Sequence, residues 1–318
     1  MIERRLLYLL LVLVFLLLLM GGLVHNTGSS LACPDWPLCY GSLLPEMTGG
    51  IAIEHSHRLV ATAVGLMTVI LALLIWKRRK GDRELRQMAM AAVVLVVVQG
   101  LLGGITVLYQ LPPLVSISHL AISIVFFSLL VVMGWKTKDP LPRWEGMKGR
   151  VVTGSPSPLP SPLEGGGRIQ LYLLITTGLV YLQILLGAVV RHGGLGIVCP
   201  DLPFCYGKIW PEGSLYQGHM AHRFGGIIIA LFVLAIPFVL RRGNRPVTPT
   251  GGIIRWFIFA GIILVLIQII LGAACILTVL GVASVTAHLG VAVLLMGTMV
   301  SLVCLTSRGR PPQADAPY

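Results

Sequence analysis

Two short stretches of the sequence place ionisable side chains at the start of a long apolar run. The first, IEHSHRLVATAVG at 53–65, contains Glu54 followed by the pair His57-Arg58. The second, GHMAHRFGGIIIA at 218–230, repeats the His-Arg pair but has a histidine in place of the glutamate. Ionisable groups at a membrane boundary are costly and commonly functional. The stretches therefore predict two related sites that differ by one carboxylate.

The likeness of the two stretches extends over most of the chain. CPDWPLCYG at 33–41 and CPDLPFCYG at 199–207 share seven of nine residues, and QGLLGGITVL at 99–108 matches QIILGAACIL at 268–277. We interpret the chain as two homologous halves. Since both halves cross the membrane in the same direction, they are predicted to be parallel repeats.

Each half contributes two histidines, His57 and His119 in the first and His222 and His288 in the second. Each lies near the start of an apolar run that enters from the same face, so all four are expected at similar depth. Two imidazoles facing each other across a helical bundle are typical axial ligands of a haem iron. A zinc site needs further Cys or carboxylate ligands at short spacing, and only Glu54 is near.

Membrane-spanning helices must position these residues. The chain is 56% apolar and 11% charged, whereas a soluble domain has about 25% charged residues, so a soluble globule is excluded. The predicted fold is an all-α integral membrane protein whose eight transmembrane helices form two tandem, pseudo-symmetric four-helix bundles. The first apolar run is expected to be retained rather than removed as a signal peptide. The runs long enough to cross the ~30 Å hydrocarbon core are at about 6–24, 57–76, 88–108, 115–135, 170–190, 220–240, 254–275 and 284–305.

The basic residues indicate the orientation of these helices. The net charge of +12 is concentrated at both termini and in alternate connections, which is the positive-inside pattern rather than a nucleic-acid footprint. Both termini are therefore predicted to be cytoplasmic, in a bacterial cytoplasmic membrane, and the lipid bilayer rather than nucleic acid is the expected partner. The external loops are predicted at 25–54, 109–114, 191–218 and 276–283.

A low-complexity segment divides the chain. TGSPSPLPSPLEGGG at 153–167 is rich in Pro, Ser and Gly, which is typical of a flexible linker. The predicted organisation is an N-terminal half at 1–149, a cytoplasmic linker at 150–168, a C-terminal half at 169–306 and a cytoplasmic tail at 307–318.

Arg58 and Arg223 directly follow the predicted ligands, and two roles are open to them. They can extend to the membrane interface, or they can bind haem propionates with a bidentate guanidinium. Three histidines have no counterpart in the other half and are interpreted as interfacial residues: His25, His55 and His192.

Each half also has an external pair of cysteines, Cys33 and Cys39 in the first and Cys199 and Cys205 in the second. Disulfides persist outside the cytoplasm, so both pairs are predicted to be bridged. A structural role is open to both pairs, and a redox role is open to the first.

This combination of features resembles the haem A synthase family, whose members oxidise haem O to haem A for cytochrome oxidase. The resemblance rests on eight spans in two halves, EHSHR at the start of the second span, and a histidine pair and a cysteine pair per half; it covers roughly residues 6–305. It implies that the porphyrin C8 methyl is converted to a formyl group by successive oxidations, with water as the oxygen source. Expected partners are the farnesyltransferase that makes haem O and an electron acceptor in the membrane, and a homo-oligomer is left open.

The resemblance also implies a role for each half. The N-terminal half holds the substrate haem O between His57 and His119, and the C-terminal half holds a resident haem b between His222 and His288. The family's essential acidic residue corresponds to Glu54, and its bacterial disulfide corresponds to the first cysteine pair.

Glu54 is the position at which the two halves differ. A carboxylate one helical turn before a haem ligand shares its face of the helix, where it could accept a proton from the methyl group or from the attacking water. A half that only carries electrons needs no such base, and there His219 is a candidate support for His222. The alternative for Glu54 is an i,i+4 ion pair with Arg58.

Three other functions remain open from the residues alone. A di-haem quinone oxidoreductase resembling cytochrome b would use Glu54 as a quinol proton acceptor and would hold two permanent haems of one type. A thiol-oxidising enzyme would use the cysteine loops but leave the histidines without a role. A transporter is compatible with parallel repeats, but no broken helix in the midplane favours it.

Overall fold

The computed structural model describes residues 2–137, 162–242 and 251–307, and within these residues the regular structure is helical. Each helix is long and apolar enough to cross a membrane, so the chain is a multi-pass membrane protein and the predicted all-α class with eight spans is confirmed. The helices are α1 Ile2–Asn26, α2 Gly49–Arg78, α3 Arg83–Leu108, α4 Pro113–Lys136, α5 Pro162–His192, α6 Ser214–Arg242, α7 Gly251–Leu277 and α8 Val282–Ser307.

The helices are apolar on the protein-facing side and on the outward-facing side. On α1, Leu7 and Leu10 are fully buried, whereas Leu9, Val12 and Leu16 are exposed. In water such a surface would be unfavourable, but lipid chains are as apolar as leucine. A helix satisfies most of its backbone N–H and C=O groups within its own turns, which is what a bilayer requires; Pro237 inside α6 is an exception, since it has no N–H to donate.

The helices of each half contact one another in a closed order. In the first half the neighbours are α1–α2, α2–α3, α3–α4 and α4–α1, and the second half repeats this order from α5 to α8. The halves meet where α8 contacts α1 and α4 and where α4 contacts α5. Small residues allow this approach: a β-carbon at Gly290 of α8 would lie 2.7 Å from Leu19 of α1. The pseudo-symmetric relation of the halves stays a prediction.

The helices begin earlier than the hydropathy predicted, and at α2 and α6 this affects the site. α2 starts at Gly49 and α6 at Ser214, so Glu54 and His57 lie within a helix, although Glu54 had been assigned to the loop 25–54. The predicted linker lies outside the described residues up to position 161, and its end at 162–168 is helical. The tail beyond Ser307 also lies outside the described residues, and the domain limits stay a prediction.

Candidate functional site

Each of the four predicted ligands lies against a glycine of the preceding helix. A β-carbon would lie 3.0 to 3.3 Å from Cε1 of the imidazole at three of these glycines, which is tighter than an ordinary contact, and 3.6 Å from it at Gly103, which is an ordinary contact. The pairs are Gly21–His57, Gly103–His119, Gly187–His222 and Gly272–His288. The small residues of the repeat therefore serve ring packing in both halves.

The two histidines of the second half face each other across the helices. The ring centroids of His222 and His288 are 6.4 Å apart, and the ring planes are inclined by 70°. With metal–nitrogen bonds of about 2.0–2.1 Å, two imidazoles on opposite sides of one metal ion have centroids roughly 6–6.5 Å apart. The arrangement fits bis-histidine ligation of a haem iron.

The first half has the same elements. His57 and His119 are half-buried, and among the described residues the Nδ1 atom of each ring is buried without a hydrogen-bond partner. A buried polar atom without a partner costs about 1–3 kcal/mol, so packing alone is a poor account of these rings. A donor set of imidazoles only suits a haem better than a zinc ion.

Two glutamines hold the backbone of the histidine-bearing helices. The amide nitrogen of Gln99 on α3 donates to the carbonyl of His119 at 2.8 Å. That of Gln183 on α5 donates to the carbonyl of His222 at 2.6 Å and lies 3.1 Å from its Nδ1. Sequence reasoning assigned these glutamines no role, although each stands four residues before a glycine that faces a ligand.

Glu54 is buried, with 3% of its surface exposed, and its two oxygens have different partners. Oε2 accepts the backbone N–H of Cys33 at 2.8 Å, and Oε1 accepts Nη2 of Arg58 at 2.5 Å. The predicted ion pair is therefore present. In the second half His219 occupies this position, and its Nδ1 donates to the carbonyl of Leu195 at 2.8 Å.

Arg58 binds backbone carbonyls of the first cysteine loop, residues 33–41. Its Nη1 donates to the carbonyls of Asp35 and Leu38, both at 2.6 Å, and Nη2 donates to that of Cys33 at 3.0 Å. Together with Glu54 these acceptors occupy all four terminal N–H groups of the guanidinium. A contact with a propionate stays a prediction and would displace one of them.

Arg223 binds the second cysteine loop in the same way. Nη1 donates to the carbonyls of Asp201 at 2.8 Å and Phe204 at 2.7 Å, and Nη2 donates to that of Cys199 at 2.6 Å. Among the described residues its terminal nitrogens form no hydrogen bond with a carboxylate, and its Nε is buried without a partner. Both halves therefore have this arginine clamp, in which a guanidinium binds the carbonyls of the cysteine loop, but only the first half has a glutamate, Glu54, beside it.

Both cysteine pairs form disulfides, Cys33–Cys39 and Cys199–Cys205. An aspartate closes each loop: the carboxylate of Asp35 accepts the N–H of Gly41 at 2.8 Å and of Tyr40 at 2.6 Å. These backbone donors hold the pKa of Asp35 below its usual value. Asp201 accepts Tyr206 and Gly207 in the second loop, with the same effect on its pKa.

The first loop also covers the histidine site of its own half. A β-carbon at Gly104 would lie 2.9 Å from Cδ2 of Trp36, so the indole of the loop packs on α3 next to Gly103, which faces His119. The sequence places a leucine at the corresponding position of the second loop, Leu202. The loop, Glu54 and the histidine pair are thus parts of one site.

The histidines without counterparts lie in two different places. His25 and His192 face each other between α1 and α5, with ring centroids 4.5 Å apart, so they lie where the halves meet. His55 is buried, with 3% of its surface exposed, and its position at the membrane interface stays a prediction. It lies beside the first disulfide, a position that no local pattern in the sequence predicts.

Comparisons with known proteins agree on one family. A family model described as cytochrome oxidase assembly protein, COX15-CtaA, matches residues 4–300. The chain is 33% identical over 228 residues to a haem A synthase of Alkalihalophilus pseudofirmus, covering 70% of this chain and 71% of the relative. It is 28% identical over 300 residues to a haem A synthase of Lysinibacillus sphaericus, covering 92% and 91%. A haem A synthase of Halalkalibacterium halodurans is 28% identical over 299 residues, covering 93% and 94%.

Proposed function

The chain belongs to the COX15-CtaA family of cytochrome oxidase assembly proteins, and we propose on that basis that it is a haem A synthase, which oxidises the C8 methyl of haem O to a formyl group. Relatives of this name align with the chain over most of their length. The observation in this structure that carries the proposal is an asymmetry. Both halves have a histidine pair packed against glycines of the preceding helices, but only the first has a buried carboxylate, Glu54, one turn before a ligand.

The two halves divide the work. We assign the substrate haem O to His57 and His119 in the N-terminal half, and a resident haem b to His222 and His288 in the C-terminal half. The haem b supplies electron transfer when it is bound. The protein holds both ring pairs through glycine contacts and backbone-binding glutamines, so that the imidazoles keep their orientation through the reaction.

Glu54 is assigned as the proton acceptor. Converting a methyl to a formyl group with water as the oxygen source releases protons and electrons, so the site needs a base and an electron acceptor. The carboxylate lies on the helix of His57, one turn earlier and on the same face. The N–H of Cys33 and the guanidinium of Arg58 fix its two oxygens, which positions the acid relative to the substrate. General base catalysis of this kind contributes about 10²–10⁴-fold.

We assign Arg58 and Arg223 a structural role, which is to bind the two cysteine loops. Binding of haem propionates would be an additional role. Each guanidinium binds three loop carbonyls, and this contact keeps the loop over its half. Trp36 then excludes water from one side of the first site, as its indole covers Gly104.

We further propose that both termini are cytoplasmic, in a bacterial cytoplasmic membrane, which puts the cysteine loops and all four ligands toward the outer face. The distribution of Lys and Arg supports this orientation. The farnesyltransferase that makes haem O and a membrane electron acceptor are the partners that the reaction requires.

The haem content of the purified protein tests the proposal. Haem is extracted from the full-length protein, produced in cells that make haem O, and is identified by chromatography with mass detection. We expect haem B together with haem O or haem A. Haem B alone, with two equivalents per chain, would contradict the proposal and would favour the di-haem quinone oxidoreductase.

A further inference from the structure

The first disulfide has a histidine neighbour whose ring has one unused nitrogen. A ring nitrogen of His55 and the Sγ atoms of Cys33 and Cys39 all lie within 4.8 Å of one another, and all three residues are buried. Nε2 of His55 donates to the carbonyl of Leu43 at 2.9 Å. Nδ1 is buried without a hydrogen-bond partner among the described residues, although an orphaned buried nitrogen is unfavourable.

The second loop shows that packing does not require this histidine. Met220 is the residue that follows His219, as His55 follows Glu54. It is 1% exposed and packs against the Cys199–Cys205 disulfide. An apolar side chain therefore fills the equivalent space. The imidazole is a feature of the first half only, as the carboxylate of Glu54 is.

The orientation of His55 is that of a metal ligand. A histidine that binds a metal through one nitrogen almost always donates its other N–H to a carbonyl or carboxylate, which fixes the tautomer. The bond from Nε2 to Leu43 leaves the lone pair on Nδ1. Two thiolates and one imidazole are the donor set of soft, thiophilic ions such as Zn²⁺ and Cu⁺.

We propose that the Cys33–Cys39 pair, once reduced, forms a Cys2His site for a thiophilic metal ion with His55. In a tetrahedral zinc site, with Zn–S of about 2.3 Å and Zn–N of about 2.0–2.1 Å, donor atoms lie roughly 3.3–3.8 Å apart. The three donors lie within 4.8 Å of one another, so opening the S–S bond and small side-chain movements would bring them to this spacing. The site does not depend on the proposed function, because its donors are not the haem ligands.

Loading the site requires a reductant, which we assign to the class of dithiols. A dithiol gives two electrons and two protons to the disulfide and becomes a disulfide itself, leaving two cysteine thiols. Metal binding then releases both thiol protons. The disulfide and the metal are therefore alternative states of one pair. The change takes place next to Glu54, whose Oε2 is held by the N–H of Cys33.

Zinc retention by the purified full-length protein tests the site. The protein in detergent is reduced with a water-soluble phosphine, which takes oxygen from water as it is oxidised, then incubated with zinc and desalted. We expect about one equivalent of zinc in the reduced protein and less than about 0.1 in the oxidised protein. Zinc-edge X-ray absorption should show two sulfur neighbours and a histidine nitrogen.

Three variants separate the site from general thiol binding. His55→Met reproduces the second loop and should weaken zinc binding at least about 100-fold, since loss of a ligand exceeds the 10–100-fold effect of an outer partner. His55→Gln should do the same. Cys199→Ser should leave one equivalent in place. An unchanged helical circular dichroism spectrum and a single elution peak in detergent show that each variant is folded.

The proposal is overturned if reduced wild-type protein retains no zinc while Cys33 and Cys39 react with an alkylating reagent. It is also overturned if folded His55→Met binds zinc as tightly as wild type. Retention of two equivalents, of which one is lost in Cys199→Ser, would show that any pair of loop thiols suffices and would remove His55 from the site.

Discussion

Replacing Glu54 with glutamine separates the two halves most directly. Glutamine keeps the shape, so its side-chain oxygen can still accept the N–H of Cys33, and Arg58 keeps its three loop carbonyls. The variant loses the negative charge, the proton acceptor and the ion pair, because its amide nitrogen then faces Nη2 of Arg58. A general base contributes about 10²–10⁴-fold, so haem A formation should fall by that factor. At ~1.36 kcal/mol per tenfold this raises the barrier by about 3–5 kcal/mol.

The structure also changes the expected effect on stability. An exposed helix pair would contribute only about 0.3–0.5 kcal/mol, but the side chains of Glu54 and Arg58 are 4% and 13% exposed. A hydrogen bond to a charged group contributes about 1.5–3 kcal/mol. We therefore expect less folded Glu54→Gln protein in the membrane, and conversion must be expressed per folded protein.

Arg58→Gln provides the control. It breaks the same ion pair and also the loop contacts, but it keeps the carboxylate. If Glu54 acted only through the pair, Arg58→Gln would be at least as harmful per folded protein. Arg223→Gln removes the matching clamp from the half without the acid. The assay is the ratio of haem A to haem O extracted from membranes, with protein quantified by immunoblot and haem b by its spectrum. Near-normal conversion per folded protein in Glu54→Gln would refute the assignment of Glu54 as the base, whereas partial activity in Arg58→Gln, which keeps the carboxylate, would support it.

Three further results are expected. His222→Ala should remove haem b from the purified protein, whereas His57→Ala should leave haem b present and abolish conversion; the reverse in a reduced-minus-oxidised spectrum would exchange the roles of the halves. Gly187→Ala puts a β-carbon 3.0 Å from the ring of His222. Overpacking costs about 1–3 kcal/mol, so a haem titration should show a haem b affinity lowered roughly 5–150-fold. Gly178→Ala on the same helix, where a β-carbon would have no atom within 4 Å, should leave the affinity unchanged. Alkylation of the unreduced native protein, followed by mass spectrometry, should leave the four loop cysteines unlabelled; labelling of all four would contradict both disulfides.

Hydropathy predicted the helices because the thickness of the bilayer sets their length. It could not predict where α2 and α6 begin. The first two turns of α2, from Gly49, contain Glu54 and His55, and a charged residue ends an apolar run without ending a helix. The hydropathy pattern consequently placed Glu54 in a loop, although its identity as the residue that differs between the halves was visible.

The candidate site was predicted as far as the repeat could show it. Comparing the halves finds the four histidines, and it also finds Gln99, whose counterpart is Gln268. It does not find Gln183, because the corresponding residue of the first half is Leu17. The clamp by Arg58 could not, since it depends on backbone carbonyls of a loop that folds back over the helix. The position of His55 beside Cys33 was equally hidden, because it depends on a contact between distant residues of the chain.

Two neighbouring positions of one helix carry polar groups that differ between the halves. Glu54 and His55 are replaced by His219 and Met220, and all four side chains are buried. Consecutive residues of a helix point about 100° apart, so the two positions contact different partners. The first position hydrogen-bonds to the loop backbone and lies on the same face as the ligand, and the second packs beside the disulfide. A half that only binds a haem needs the glycines, the histidines and the loop clamp, and both halves keep these. In the proposed division of labour the first half needs a base in addition, and its buried polar groups, which a membrane protein would otherwise avoid, lie at these two positions.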